Sequence, residues 1–134
     1  MAQPSLLVKT YEETLNLIVE ARNYAAYVQP REHVGAGPVA RLRISCESMR
    51  VTTRLTQVMA WLMLQRAVQE GELTLEEACA EHNRLAAENV CLSHDAAEDE
   101  ALPDGLRSLL ERSYRLYLRT RRLEDMVLER QRMN

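Results

Sequence analysis

The sequence is poor in the residues that build strands, tight turns and covalent cross-links. Its 134 residues include no Phe, one Trp, four Gly, four Pro and three Cys. Ala, Leu, Glu, Arg and Met are abundant instead, and this composition favours helix over strand. A chain of this length suits one domain, here residues 1–134, and can bury roughly two-thirds of its unfolded surface without needing a disulfide or a metal. We therefore predict an all-α protein.

Long apolar runs, a leader pattern and an extreme charge are also missing. The longest apolar run, Val58 to Leu64, is far shorter than the roughly 20 residues that cross a bilayer. The opening MAQPSLLVKTYEE has no basic segment followed by an apolar core, so it is unlike a secretory signal. A net charge of −3 gives no general attraction to nucleic acid or to anionic membrane. We expect a cytoplasmic protein with protein partners.

Periodicity and capping signals predict a helical bundle of three long helices and one shorter helix. The first helix is expected to stop at Pro30 and the second at Gly71. Thr74 and Glu77 form a capping-box pattern that opens the shorter helix. The acidic stretch 93–103 has no apolar period, so we expect a mobile linker there. The predicted helices cover residues 5–29, 38–70, 75–90 and 104–131.

The second helix has apolar residues on more than one face. Two stripes are apolar enough to be predicted as buried, which requires more than one neighbouring helix. One stripe consists of Leu42, Cys46, Met49, Thr53, Thr56, Ala60, Met63 and Ala67, and the other of Ile44, Val51, Leu55, Val58 and Leu62.

A third line on this helix is left over once the two stripes face the core. It consists of Arg50, Arg54, Gln57 and Trp61, and Arg and Trp are typical interface anchors. We predict a partner-binding surface on this line, with packing inside the bundle against the shorter helix as the alternative.

The second half of the same helix is apolar nearly all round. Trp61, Leu64 and Val68 continue the third line as a purely apolar segment. A self-complementary apolar surface of this kind is typical of a two-fold interface. We therefore predict a homodimer whose interface includes these three residues.

Two segments carry a resemblance to a known family. The stretch ESMRVTTRLTQVMAWLMLQRAV followed by GELT, together with LPDGLRSLLERSYRLY after an acidic segment, resembles the RcdA family of bacterial regulators of CtrA degradation. The resemblance implies an all-helical, often dimeric adaptor that helps deliver cell-cycle regulators to the ClpXP protease. It further implies a response-regulator partner, a cyclic-di-GMP effector protein and cargo regulators. No cofactor is expected.

The residue patterns also allow two other functions, zinc binding and DNA binding. Cys79, His82, Cys91 and His94 have ligand types and local spacings that zinc can use. A continuous helix would hold the two cysteines roughly 18 Å apart at 1.5 Å per residue, so a shared site requires that helix to break. We expect incidental thiols and imidazoles, and a fold that forms without metal.

The stretch GELTLEEACAEHNRL is similar to the first helix of a helix-turn-helix, which would make the protein a DNA-binding regulator. Such a motif needs a turn and then a recognition helix with basic residues at its start. Here Asn83 and Arg84 run on into Leu85, and acidic sequence follows. We therefore expect no nucleic-acid partner.

The last helix has an arginine strip on one side. Arg112, Arg115, Arg119 and Arg122 form the strip, which could bind carboxylates of a partner. The alternative is a solvated face balanced by acidic residues such as Glu13 and Glu20 of the first helix. Neither a phosphate-binding glycine loop nor a nucleophile elbow occurs in the sequence, so we do not expect an enzyme.

Overall fold

The computed structural model describes residues 4–133, and these residues contain helices and no strand. The predicted all-α class is confirmed. The elements are α1 (Pro4–Asn23), a π-helical turn (Tyr24–Val28), α2 (Gln29–Val34), α3 (Pro38–Gln69), α4 (Leu75–Ala78), a 3-10 turn (Glu81–Asn83), α5 (Glu88–Cys91), a second 3-10 turn (Asp95–Glu98) and α6 (Asp104–Met133). No helix within 4–133 is long and apolar enough to span a membrane.

α3 is the central helix, and it packs against both α6 and α1. The small hydroxyl residues Thr14, Ser113 and Thr120 are each 0% exposed in this core. Each hydroxyl donates a hydrogen bond to a carbonyl of its own helix, as Thr14 does to Thr10 at 2.6 Å and Thr120 does to Leu116 at 2.8 Å. Burial therefore leaves these polar groups satisfied, and their small size lets neighbouring helices approach closely.

The first helix does not stop at Pro30, contrary to the sequence expectation. The chain stays helical through the π-helical turn and on to Val34. In that turn the Gln29 amide donates to the Tyr24 carbonyl, five residues back. Pro30 then stands in the first turn of α2, where a missing N–H costs nothing because that position has no intrahelical partner. The π-helical turn thus lets the chain continue as a helix to Val34, past the helix end that we predicted at Pro30.

α3 ends in a glycine cap. Gly71 has φ +78°, its amide donates to Val68 at 3.1 Å, and the Glu72 amide donates to Ala67 at 2.9 Å. These two bonds satisfy carbonyls that the helix end would otherwise leave unpaired, in the pattern of a Schellman motif. α3 (Pro38–Gln69) thus ends because Gly71 provides a left-handed cap, as we predicted from the sequence.

The shorter helix predicted over 75–90 is wrong in its extent. Thr74 caps α4 by accepting the Glu77 amide at 3.1 Å, but α4 lasts only to Ala78. The chain then forms a 3-10 turn, and Ala87 reaches a left-handed conformation at φ 59° before α5. Side chains of α3 and α6 bond to the backbone here, and these long-range bonds replace the helical ladder. We call residues 75–103 the connector.

The acidic part of the connector, residues 93–103, which we expected to be a mobile linker, packs against the bundle. Leu102 is 4% exposed and belongs to the core, and Ala97 packs against the core as well. Asp99 forms an ion pair with Arg43 of α3, and the Ala97 carbonyl accepts from Arg107 Nε at 3.2 Å. Acidic composition alone suggested solvation, whereas basic side chains on α3 and α6 hold this segment against the bundle.

Gly71→Ala should lower the free energy of unfolding by about 1–2 kcal/mol, because a left-handed backbone is unfavourable for alanine. Urea unfolding followed by circular dichroism at 222 nm measures the change. Gly35→Ala is the matched control, since Gly35 has φ −95° and a Cβ at either glycine would meet no atom within 4 Å. Equal destabilisation by both variants would contradict the assignment of the effect to backbone conformation.

Candidate protein-interaction surfaces

The predicted partner-binding line does not face solvent. Arg54 is 0% exposed and Trp61 is 3% exposed, while Arg50 and Gln57 are half-buried. The prediction of a free contact surface on this line is therefore wrong, and the alternative of internal packing describes it. The reason is that the connector folds back over this side of α3.

Arg54 is the centre of that contact. Its Nε donates to the Cys91 carbonyl at 2.9 Å, one terminal nitrogen donates to the Ser93 carbonyl at 2.6 Å, and the other donates to the Leu110 carbonyl at 2.8 Å and to Ser113 Oγ at 3.2 Å. These acceptors belong to the connector and to α6. One guanidinium thus joins three parts of the chain.

No carboxylate of residues 4–133 accepts a hydrogen bond from Arg54, so its charge is held by carbonyl and hydroxyl dipoles. The guanidinium carbon also lies 5.1 Å from the centre of the Tyr114 ring, within cation–π range. Burial, followed by the nearby Arg50 charge, lowers the pKa of Arg54 to about 10. Arg54 therefore remains charged at neutral pH, and the loss of its acceptors would leave a buried charge unsatisfied.

The neighbours of Arg54 on the same line also bind connector backbone. Arg50 Nη1 donates to the Val90 carbonyl at 2.6 Å, and its Nε is 3.0 Å from Glu47 Oε2. Gln57 Oε1 accepts the Ala86 amide at 2.8 Å. The line that we predicted to bind another protein therefore recognises the main chain of this one.

α6 holds the other side of the connector. Glu124 Oε2 accepts the Leu85 amide at 2.8 Å, and the Tyr117 hydroxyl donates to the Ala86 carbonyl at 3.2 Å. Burial raises the pKa of Glu124 and raises that of Tyr117 to about 12. Both side chains bond backbone groups that a helix over 75–90 would have paired internally.

His94 fixes the acidic end of the connector. Its ring stacks on Tyr114 with centroids 3.8 Å apart, and its Nε2 is 2.7 Å from Glu111 Oε2. The hydrogen bond from His94, followed by the charge of Arg115, lowers the pKa of Glu111. His94 therefore contributes to packing and to a hydrogen bond with α6.

The four candidate zinc ligands do not come together. The helix does break between Cys79 and Cys91, which removes the sequence argument against a shared site, yet no group of three His, Cys, Asp or Glu within 4–133 is placed to hold a metal. Burial raises the pKa of both thiols and so disfavours the thiolate that zinc requires. His82 lies exposed in the first 3-10 turn, apart from His94.

The helix-turn-helix alternative has no recognition helix in this region. α4 and α5 contain four residues each, which is about one helical turn. A recognition helix has to lie along a major groove and present several side chains to base edges. The connector therefore lacks the element that such DNA binding needs.

The predicted dimer residues are mostly turned inward. Trp61 is buried, and Leu64 and Val68 are half-buried. A small cavity between α3 and the connector is lined by Trp61 and Leu64 on one side and by Leu85 on the other. Trp61 and Leu64 therefore face the connector in this structure.

The stripe from Leu42 to Ala67, which we predicted to be buried, is the exposed side of α3. At 100° per residue it lies opposite the buried stripe from Ile44 to Leu62, which the core does cover. Leu42 is 64% exposed, Met49 is 68% exposed and Met63 is 59% exposed. None of the eight residues of the stripe is charged. We call this uncharged stripe the outer face of α3.

Acidic residues of α1 form ion pairs with the arginine strip of α6, in agreement with the alternative prediction of a solvated, charge-balanced face. Both terminal nitrogens of Arg112 bond the Glu20 carboxylate, at 2.6 and 2.7 Å, and Arg119 pairs with Glu13. The hydrogen bond from Arg112 lowers the pKa of Glu20. Arg115 bonds Glu111 on its own helix at 2.7 Å. Three of the four arginines thus have partners within the chain, and all lie at least partly in solvent.

Comparisons with known proteins agree with the fold. The family model described as "Protein of unknown function (DUF1465)" matches residues 1–134. Among solved structures, the chain is similar to RcdA from Caulobacter crescentus CB15, with 39% sequence identity, a TM-score of 0.76 and coverage of 94% of this chain and 93% of that chain. No curated protein matches the chain.

Arg54→Lys should lower the free energy of unfolding by about 2–4 kcal/mol, since one amine cannot satisfy four acceptors that lie on both the connector and α6. Urea unfolding measures the loss, and faster tryptic cleavage after Arg84 reports local opening of the connector. Arg43→Lys is the control, because Arg43 makes only an exposed ion pair with the connector. Equal stability of the two variants would contradict the central role of Arg54.

Proposed function

The chain belongs to the DUF1465 protein family and is RcdA-like, and on that basis we propose that it is a cytoplasmic protein-interaction adaptor in regulated proteolysis. The observation that carries the proposal is the likeness to RcdA, which extends over nearly the whole of both chains at 39% identity. In this proposal the protein helps deliver cell-cycle regulators to ClpXP. Its partners are a response regulator, a cyclic-di-GMP effector protein and the cargo.

The arrangement of the helices suits this role physically. An adaptor raises the local concentration of cargo at a protease, so it needs separate contact surfaces and no reaction of its own. The outer face of α3 is one such surface. From Leu42 to Ala67 it extends about 37 Å at 1.5 Å per residue. Clustered exposed apolar side chains, such as Leu42, Met49 and Met63 on this face, are typical of protein contacts.

We also propose that the protein forms a homodimer, but through a different interface from the one predicted from the sequence. Trp61 faces the connector, so we propose that two copies meet instead through the outer face of α3. Small residues at Thr56 and Ala60 allow close approach of a second helix, and the absence of charge on the face avoids like-charge repulsion across a two-fold axis. The homodimer predicted from the sequence is thus retained, while its residues differ.

The dimer proposal predicts that Met63→Glu raises the dimer dissociation constant by at least about tenfold, because the change would bury a carboxylate in the proposed apolar interface. Sedimentation velocity measures the mass. Met126→Glu is a matched control, since Met126 is 56% exposed on α6 and Met63 is 59% exposed. A wild-type protein that is monomeric at micromolar concentration, or a Met63→Glu protein that remains dimeric, would exclude this interface.

Cys46 offers a second readout of the same interface. It is the one exposed thiol of the three, since Cys79 and Cys91 are buried, and it lies on the outer face of α3. Maleimide labelling of native protein should therefore slow as protein concentration rises. A labelling rate independent of concentration would argue against burial of this face between copies.

The adaptor proposal predicts faster degradation of a cargo regulator by reconstituted ClpXP when this protein and its response-regulator partner are present. Acceleration should fall again at large adaptor excess, because cargo and protease then occupy different adaptor molecules. A substrate that ClpXP degrades unaided serves as the control and should be unaffected. Unchanged degradation of every candidate cargo, at any adaptor concentration, would refute the proposal.

A further inference from the structure

The middle of the connector lies on the bundle without entering its core. Residues 80–90 follow the buried Cys79 and precede the buried Cys91, and none of these residues is itself buried. Leu85 is the one residue among them that packs against the core, and it does so only in part. We call residues 80–90 the strap. The core holds the two ends of the strap, whereas its middle runs over the surface of α3 and α6.

Hydrogen bonds to the main chain, more than apolar packing, hold the strap in place. The Leu85 amide donates to Glu124, the Ala86 amide donates to Gln57, and the Tyr117 hydroxyl donates to the Ala86 carbonyl. Further contacts near the second end come from Arg50 and Arg121, which bond Val90 and Glu88. A hydrogen bond typically changes an equilibrium constant by about fivefold, because water bonds the same groups when they are exposed. The closed strap is therefore only modestly stabilised.

Side chains do not fill the space under the strap. A cavity of about 210 Å³ lies between the strap and α3, with Trp61 and Leu64 on one side and Leu85 on the other. A water molecule takes up about 30 Å³ in the liquid, so several waters fit there. Side chains beside an unfilled space lack the dispersion contacts of close packing. Leu85 therefore stabilises the closed strap less than a fully packed leucine would.

The backbone of the strap is strained at one residue. Ala87 has φ 59° and ψ 38°, in the left-handed region. Within residues 4–133 it is the one residue other than glycine with a positive φ. This conformation is unfavourable for alanine, because Cβ comes too close to the following carbonyl oxygen. An open strap releases the strain, so Ala87 favours opening.

We propose that the strap opens and closes over Trp61 as a local unit, while Cys79 and Cys91 keep its two ends in the core. Opening uncovers Trp61 and Leu64, the apolar side chains on the far side of the cavity. Few apolar contacts, an exposed backbone and local strain are typical of segments that open without global unfolding. The strap thus controls access to an apolar part of α3.

The opening unit ends where the Arg54 contacts begin. Arg54 bonds the carbonyls of Cys91 and Ser93, which follow the strap. A buried charge that lost these acceptors would be far more costly than the loss of strap hydrogen bonds, which water can replace. The strap can therefore open while the rest of the connector stays on α3 and α6. Because this motion belongs to the chain alone, the inference does not depend on the adaptor function.

Native-state hydrogen exchange, measured by NMR, tests the inference. The Leu85 amide should exchange at least about 100-fold faster than the Val58 amide in the core of α3. Its exchange rate should also depend only weakly on urea, since local opening exposes little surface. The Leu85 amide is the suitable probe because its acceptor, Glu124, is unchanged in every variant below.

Two variants should shift the opening equilibrium in opposite directions. Gln57→Ala removes the acceptor of the Ala86 amide and should speed Leu85 exchange by about fivefold. Ala87→Gly removes the strain and should slow it by about threefold. Gln69→Ala is the matched control, because Gln69 is an exposed residue of α3 that lies toward α1, and it should leave the rate unchanged. Exchange in the α3 core should be the same in all variants.

Three results would overturn the inference. Leu85 exchange with the rate and urea dependence of the α3 core would show that the strap opens only when the whole chain unfolds. Unchanged Leu85 exchange in both Gln57→Ala and Ala87→Gly would show that neither the bonds nor the strain control the strap. Equal acceleration of core exchange by Gln57→Ala would indicate a loss of global stability. Since neither protease nor cargo is present, these results are separate from those of the degradation assay.

Discussion

The structure depends on the burial of a single charged group, the Arg54 guanidinium. A charge that is fully removed from water must have its N–H groups bonded, or the cost exceeds what the surrounding packing supplies. Its acceptors at Cys91, Ser93 and Leu110 require the connector to fold against α3 and α6 at the same time. The connector in turn covers Trp61. The burial of one side chain therefore holds the connector over the third line of the central helix.

This constraint explains which parts of the fold the sequence predicts. The ends of α3 follow from local rules, since Pro38 favours the first turn and Gly71 favours the left-handed cap. The connector does not follow from local rules. Its residues are good helix formers, but Gln57 and Glu124 take backbone amides from 29 and 39 residues away, respectively. Local helix propensity cannot reveal that side chains distant in the sequence compete with the helix for these backbone amides. The helix predicted over 75–90 is therefore wrong.

The candidate site was mispredicted for a related reason. Arginine is usually a surface residue, so Arg50 and Arg54 suggested solvent, and the Leu42 to Ala67 stripe suggested burial because it is apolar. Backbone carbonyls of the connector bond both arginines and so bury this side of α3. No other helix within residues 4–133 covers the Leu42 to Ala67 stripe, so the stripe is exposed. The apolar period on two sides of α3 was the correct signal. One side finds its partner within the chain, and we propose that the other finds it in a second copy.

The lack of charge on the outer face of α3 matters for an adaptor. Association through this face would depend on apolar burial and respond weakly to salt. The ion pairs between α1 and α6 lie elsewhere on the surface, so a dimer formed through α3 would leave them exposed on both copies. Two linked copies of any such surface raise the effective concentration of a partner that contacts both.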